Sequence, residues 1–174
     1  MNKILYFLPI IILIFGCTEE PLKTDETQQF KTVFGLVRTF ENGQVAGIVG
    51  DTSKNQCSPS VKLSYLSYPN PTAFGVTIDF NLNENSTVDL SLETAKGDQP
   101  FLDSLSAIRF PTPIYVSQHS KYSKEKVFSG ELRKGSNSLH LDLKDYKTGL
   151  YYLVYEDSNG NNGCYPLLIQ RYED

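Results

Sequence analysis

Apolar residues in this chain recur at every second position, and from residue 30 onward no 3.6-residue period is sustained. Phe74, Val76, Ile78, Phe80 and Leu82 alternate with Gly75, Thr77, Asp79 and Asn81. Val88, Leu90 and Leu92 alternate with Asp89 and Ser91, and Leu139, Leu141 and Leu143 with His140 and Asp142. A strand sends successive side chains to opposite faces, so each run reads as a strand with one face buried. Turn residues punctuate the runs. Glu41-Asn42-Gly43 separates the apolar stretches 32–40 and 44–49, and Asn-Gly with positive φ at both positions predicts a tight hairpin. Asn159-Gly160 lies in a looser loop between strands expected over 150–156 and 164–171. Strands and turns at this spacing indicate a β-sandwich or barrel. The stretch 95–125 is less regular and holds Pro100, Pro111 and Pro113. It reads as a long connection with one or two short strands, near 105–110 and 113–118.

The start of the chain has a different grammar. One positive charge, Lys3, precedes an almost wholly apolar run from Ile4 to Phe15, broken only by Pro9. A bilayer-spanning helix needs about 20 apolar residues, so this run is short for a span. It has the length of the apolar region of a signal peptide. It ends in Ile14-Phe15-Gly16-Cys17, a small residue directly before a cysteine, which resembles the lipobox of bacterial lipoproteins. That resemblance implies a signal peptide over 1–16, lipidation of Cys17 and a membrane lipid as partner through the acylated cysteine. An ordinary secretory signal is the alternative. The acidic pair Glu19-Glu20 resembles the surface-export signal of Bacteroidetes lipoproteins, which implies an outer-membrane or cell-surface location. Residues 18–29 carry no apolar period and read as a flexible tether, so the lipidated leader covers 17–29.

With Cys17 assigned to lipid, Cys57 and Cys164 remain, an even pair in a chain expected in an oxidising compartment. A disulfide between them is the favoured reading, and two reduced buried thiols the other. No CxxC or Cys/His cluster is present, which argues against a structural zinc site and leaves no metal or other cofactor to expect. The formal net charge of -4 gives no basic surplus to attract nucleic acid.

Tyr68-Pro69-Asn70-Pro71 carries a more specific signal. Two prolines flanking Asn70 remove ladder donors and set a sharp corner between strands. Residues 66–94, opening on that corner, resemble the start of the type A C-terminal sorting domain of type IX secretion cargo. Residues 134–160, with the Gly149-Leu150-Tyr151 step, resemble its closing half. The run Leu167-Leu168-Ile169-Gln170-Arg171 resembles its terminal strand. The resemblance implies an all-β fold: an immunoglobulin-like antiparallel sandwich of about seven to nine strands over 59–174, with 30–58 as a hairpin packed on it. It further implies a role in surface targeting and the type IX translocon as a partner. A working signal would need residues 167–174 accessible at the end of an edge strand. Two features depart from the pattern. Thr94-Ala95-Lys96-Gly97-Asp98 replaces the usual Asp-x-x-Gly turn and leads into an insertion over 95–126, and the chain ends on Tyr172-Glu173-Asp174.

No enzyme signature stands out. His140 and Asp142 share the outward face of one strand, a spacing open to acid–base work but far more often a solvated face. His119 falls in the irregular segment. No Gly-x-Ser-x-Gly, phosphate loop or metal triad occurs. Asn85-Ser86-Thr87 reads as turn chemistry, and Asp103-Ser104-Leu105 resembles a short glycosylation motif of exported proteins. Tyr151, Tyr152 and Tyr155 share one strand and so face both of its surfaces. Tyr115 and Tyr122, in the insertion, read either as loop packing or as a patch for a glycan or a protein. The sequence therefore points to a non-enzymatic, lipid-anchored envelope protein with a sorting-type sandwich, or to a binding module that uses the insertion.

Overall fold

The computed structural model describes residues 29–56, 64–108 and 116–171. Among these residues ten strands, one α-helix and a single 3-10 turn (Thr52–Lys54, after β3) follow in order: β1 (Lys31–Val33), β2 (Gly35–Thr39), β3 (Val45–Gly50), β4 (Ser64–Tyr68), β5 (Gly75–Leu82), β6 (Ser86–Gly97), α1 (Gln99–Ser106), β7 (Lys124–Leu132), β8 (Gly135–Asp142), β9 (Gly149–Asp157) and β10 (Asn162–Ile169). The fold is all-β and sandwich-like, and 59–174 holds seven strands among the described residues, β4 to β10, where seven to nine were expected.

The strands form three layers. The first is the sheet β4-β5-β8. The alternation read from sequence is realised here: Val76, Ile78, Phe80 and Leu82 of β5 are buried and the residues between them are not. Val76 stands opposite Leu141 and Ile78 opposite Leu139, so β5 and β8 turn the same face inward. The second layer runs β1-β6-β9-β10. Its long strand β6 is shared on one side: β7 pairs with its first part, Ser86–Glu93, and β1 runs parallel to its last part, Ala95–Gly97. The third layer is the β2–β3 hairpin together with α1.

The middle sheet is buried on both faces. Along β9, Tyr151, Leu153 and Tyr155 enter the sandwich core with Val88, Leu90, Leu92, Leu167 and Ile169. The alternate residues Leu150, Tyr152 and Val154 enter a second core with Val33, Leu36, Val49, Phe101, Leu105, Cys164 and Leu168. All seven residues from Gly149 to Tyr155 are buried, as expected of a strand covered on both sides.

Two sequence expectations need correction. The segment 95–125 supplies a continuation of β6 and then a helix, not a strand near 105–110. Asp98 caps α1 by accepting from the Phe101 N–H at 3.1 Å, and Pro100 sits in the first turn, where its missing N–H costs nothing. The helix has eight residues and buries only Phe101 and Leu105. Two positions four apart are too few to register as a period. Within 113–118, the described residues 116–118 are irregular. The hairpin turn also differs. Only Gly43 takes positive φ, at +80°, and no non-glycine residue among those described does. Gly43 N–H donates to Phe40 O at 3.0 Å and Phe40 N–H to Gln44 O at 2.9 Å. This is the three-residue loop closed by a left-handed glycine, not the two-residue turn.

Candidate functional site

The Tyr68-Pro69-Asn70-Pro71 corner is the junction of the three layers, and the residue that makes it so is Asn70. Its side chain is fully buried. The amide Nδ2 donates to Val37 O of β2 at 3.1 Å and to Pro166 O of β10 at 2.9 Å. The Oδ1 accepts from the Leu168 N–H of β10 at 3.0 Å. Its backbone exchanges two bonds with Thr39, at 3.0 and 3.2 Å. Every polar group of a buried asparagine is thus used, and one side chain fastens the outer hairpin to the last strand of the middle sheet. Both proline peptide bonds of the corner, Tyr68-Pro69 and Asn70-Pro71, are cis. Tyr68 donates to Asp79 Oδ2 at 2.9 Å, which, with some burial, raises its phenol above the ordinary range. The prolines read from sequence set the corner; the tie across the layers is made by the asparagine between them.

Two residues further on, Thr72 joins β10. Its N–H donates to Leu168 O at 2.9 Å, and Gln170 N–H donates back to Thr72 O at 2.8 Å. This short parallel pairing covers the outer edge of the terminal strand. Leu167, Leu168, Ile169 and Gln170 are all buried. The accessibility that a working signal would need is thus not met at 167–170: the apolar run is core, and its edge is taken by the corner. Arg171 is half-buried and donates to Leu143 O at 3.0 Å and to Lys144 O. Residues 172–174 lie outside the described residues.

Between the hairpin and the corner lies a groove of about 730 Å³. Arg38, Phe40, Glu41 and Gln44 form the hairpin wall, Asn70 to Ala73 the other, and Gln170 the end of β10. The backbone groups of the walls at Thr39, Phe40, Asn70 and Thr72 are bonded within the protein. A ligand here would therefore meet side chains and not a free strand ladder. Phe40 is 40% exposed, and Phe74, next to the lining residue Ala73, is 71% exposed. Sequence reasoning singled out the corner as a fold marker and missed the groove, because the hairpin wall comes from a segment some thirty residues earlier.

The other sequence candidates fare as follows. Gly149 has φ +153°, and a side chain there would run into His119. His119 stands edge-on to Tyr151 with ring centres 4.6 Å apart. Burial pushes the His119 imidazole below its ordinary range, and its buried Nε2 has no hydrogen-bond partner. Burial, together with Tyr146, pushes Tyr151 up to about 12, and its hydroxyl donates to Lys147 O at 2.8 Å. Burial and Glu125 push Tyr146 up to about 12 as well. A neutral histidine and two tyrosines that stay protonated make a packed aromatic corner, not a proton relay. His140 and Asp142 are both exposed. The Asp142 carboxylate is held low by hydrogen bonds from the Lys144 backbone and side chain, while His140 Nδ1 lies 3.3 Å from Thr77 Oγ1.

Tyr122 is half-buried against Phe30, with ring centres 6.0 Å apart. Burial and Glu93 raise its phenol. Glu93 in turn receives Lys31 Nζ at 2.7 Å. Tyr122 thus packs onto the β1 edge and is not displayed from a loop as a binding patch would require. Cys164 is buried in β10. Cys17, Cys57 and Tyr115 lie outside the described residues. Among the described residues no group of three histidine, cysteine, aspartate or glutamate side chains is placed to hold a metal, and no helix is long and apolar enough to cross a membrane.

No family model, no curated protein and no solved structure matches this chain.

Proposed function

We propose that this chain is a non-enzymatic cell-envelope lipoprotein, anchored through acylated Cys17, whose sandwich acts as an interaction module by way of the groove beside the Asn70 corner. The groove is the observation that carries this reading. Its volume falls within the roughly 300–1,000 Å³ typical of small-ligand sites. Its walls are held by buried hydrogen bonds, so the site is preorganised. An aromatic ring, Phe40, lies among Glu41, Gln44 and Arg38. That combination suits a saccharide, which has an apolar ring face and a rim of hydroxyls. This moves the binding site from the 95–126 insertion to the hairpin, because α1 turns its apolar side chains inward.

The test has two arms. Cys17→Ala abolishes labelling by palmitate and membrane fractionation if the anchor reading holds; equal labelling of the variant would end it. A panel of oligosaccharides titrated against the protein yields ligands whose binding Phe40→Ala weakens at least about tenfold, about 1.4 kcal/mol. Binding that survives Phe40→Ala and Gln44→Ala would remove the groove from the proposal.

Delivery by the type IX translocon is the second reading, resting on the sequence resemblance of the terminal run. The buried β10 does not favour it, and leaves Cys17 with Glu19-Glu20 as the address. Surface proteolysis of cells with and without the translocon separates the two. We further propose that the partner of Cys164 is Cys57. Two free thiols in the denatured, unreduced protein would exclude the pair. A bridge closing a loop of this length stabilises by about 2–4 kcal/mol.

A further inference from the structure

The β2–β3 hairpin turns apolar side chains in both directions. Leu36 stands opposite Val49, and this pair is buried in the second core. The next pair, Val37 and Ile48, must point the other way, because successive residues of a strand face opposite sides. Ile48 is 62% exposed. Thr39 follows Val37 on that side but is itself buried, its hydroxyl donating to Ser67 O at 3.2 Å, while its partner Val45 is 60% exposed. Val45 and Ile48 are three residues apart and would fall on opposite faces of a regular strand. A bulge at Ala46, where the register shifts between Arg38 and Thr39, brings them to the same face.

An outer sheet face in water is ordinarily polar. Here Val45 and Ile48 are exposed and Val37 is half-buried, with no charge among them. Moreover, the exposed large apolar side chains among the described residues are Phe40, Val45, Ile48 and Phe74, all on the hairpin or the adjoining corner. Exposed apolar residues gathered on one side of a soluble domain mark a contact surface.

The geometry points to a phospholipid surface as what this face meets: the outer face of the β2–β3 hairpin, led by Ile48 and Val45, rests in the headgroup region of the membrane that holds the lipid anchor. This rests on the reading of Cys17 as lipidated. The size of the patch favours lipid over protein. The two exposed side chains of this face, Val45 and Ile48, fall far short of the roughly 20–30 residues a side of a stable protein interface. A tethered domain needs much less, because the anchor already supplies a high effective concentration at the bilayer. The hairpin is also the layer nearest the anchor along the chain. Fourteen residue steps lead from Cys17 to Lys31 at the start of β1, a reach of at most about 50 Å. Arg38 and Glu41 near the patch offset each other in charge, so the contact is apolar and indifferent to salt.

The chain contains no tryptophan, so one introduced tryptophan reports without background. The lipidated protein is prepared as Ile48→Trp and, as control, as Ser138→Trp on exposed β8 in the opposite layer. Both are reconstituted into phosphatidylcholine vesicles, with and without bromine on the acyl chains, and attachment is verified by flotation. The expected result is blue-shifted emission from Ile48→Trp that the brominated lipid quenches, with Ser138→Trp unaffected and both unchanged by added salt. Flotation with no blue shift and no quenching at either position overturns the docking and leaves the anchor intact. A blue shift without quenching also overturns it, in favour of a second protein chain on this face. Failure to float defeats the anchor reading and the docking with it.

Discussion

The two faces of β9 are buried by different means. On one side Tyr151, Leu153 and Tyr155 meet the sheet β4-β5-β8, in which apolar and polar residues alternate along β5 and the end of β8. On the other, Leu150, Tyr152 and Val154 meet a short hairpin and an eight-residue helix, each contributing only a few side chains. The first interface is made of paired strands whose hydrogen bonds fix the register. The second is a cover, fastened at the Asn70 corner, at the parallel pairing of β1 with β6, and by Tyr152, whose hydroxyl donates to Thr32 O at 2.8 Å. A core between continuous sheets should fail as one unit, whereas a cover held at a few points should lift first.

The largest expected effect separates the two cores. Phe80→Ala, in the sandwich core, and Phe101→Ala, under the cover, each remove a fully buried ring. Each should cost about 3–5 kcal/mol if the site cannot collapse. Phe80→Ala is expected to lower the denaturation midpoint of the whole domain. Phe101→Ala is expected to speed hydrogen exchange in β2, β3 and α1 while β5 and β9 stay protected. Equal loss of protection in both layers would show that the cover is no separate unit.

Next comes the fastening itself. Asn70→Ala removes the side-chain partner of Pro166 O and Leu168 N–H and leaves Val37 O with the Tyr165 hydroxyl at 3.4 Å. The expected cost is about 2–4 kcal/mol, measured by urea denaturation. Asn70→Asp sharpens the point, since it keeps the acceptor for Leu168 but turns an oxygen toward two carbonyls. It should be no better than alanine. A near-native Asn70→Asp protein would show that the donor side of the amide carries nothing.

The smallest effect is in alkali. Tyr146 and Tyr151, on the sandwich side, are both pushed up to about 12 by burial first. A phenol whose folded pKa lies above its unfolded value near 10 contributes stability that is whole below pH 10 and is lost as pH rises toward 12. Tyr152 and Tyr155 shift in the same direction, again chiefly through burial. Phenolate absorbance should therefore lag behind that of free tyrosine until the domain opens. Full titration near pH 10 with the fold intact would contradict the burial of these rings.

The alternation in β5, in the first half of β6 and at the end of β8 was legible because a half-buried strand writes its buried face into the sequence at every second residue. The tyrosines of β9 told that the strand sends aromatic rings to both its faces, and Gly43 told where the hairpin turns. The corner was legible as a corner, from its prolines. Tertiary structure alone decided the rest. The helix α1 is too short to establish a period, so Phe101 and Leu105 became apolar neighbours only once a second core existed to receive them. The terminal run Leu167 to Gln170 looks like an edge strand in one dimension, and it is buried because Thr72 and Asn70, nearly a hundred residues earlier, close its open side. The groove needs two walls from separate segments. Hydrogen bonds and packing between residues far apart in the chain leave no local pattern, so sequence fixes which residues prefer burial and folding decides what buries them.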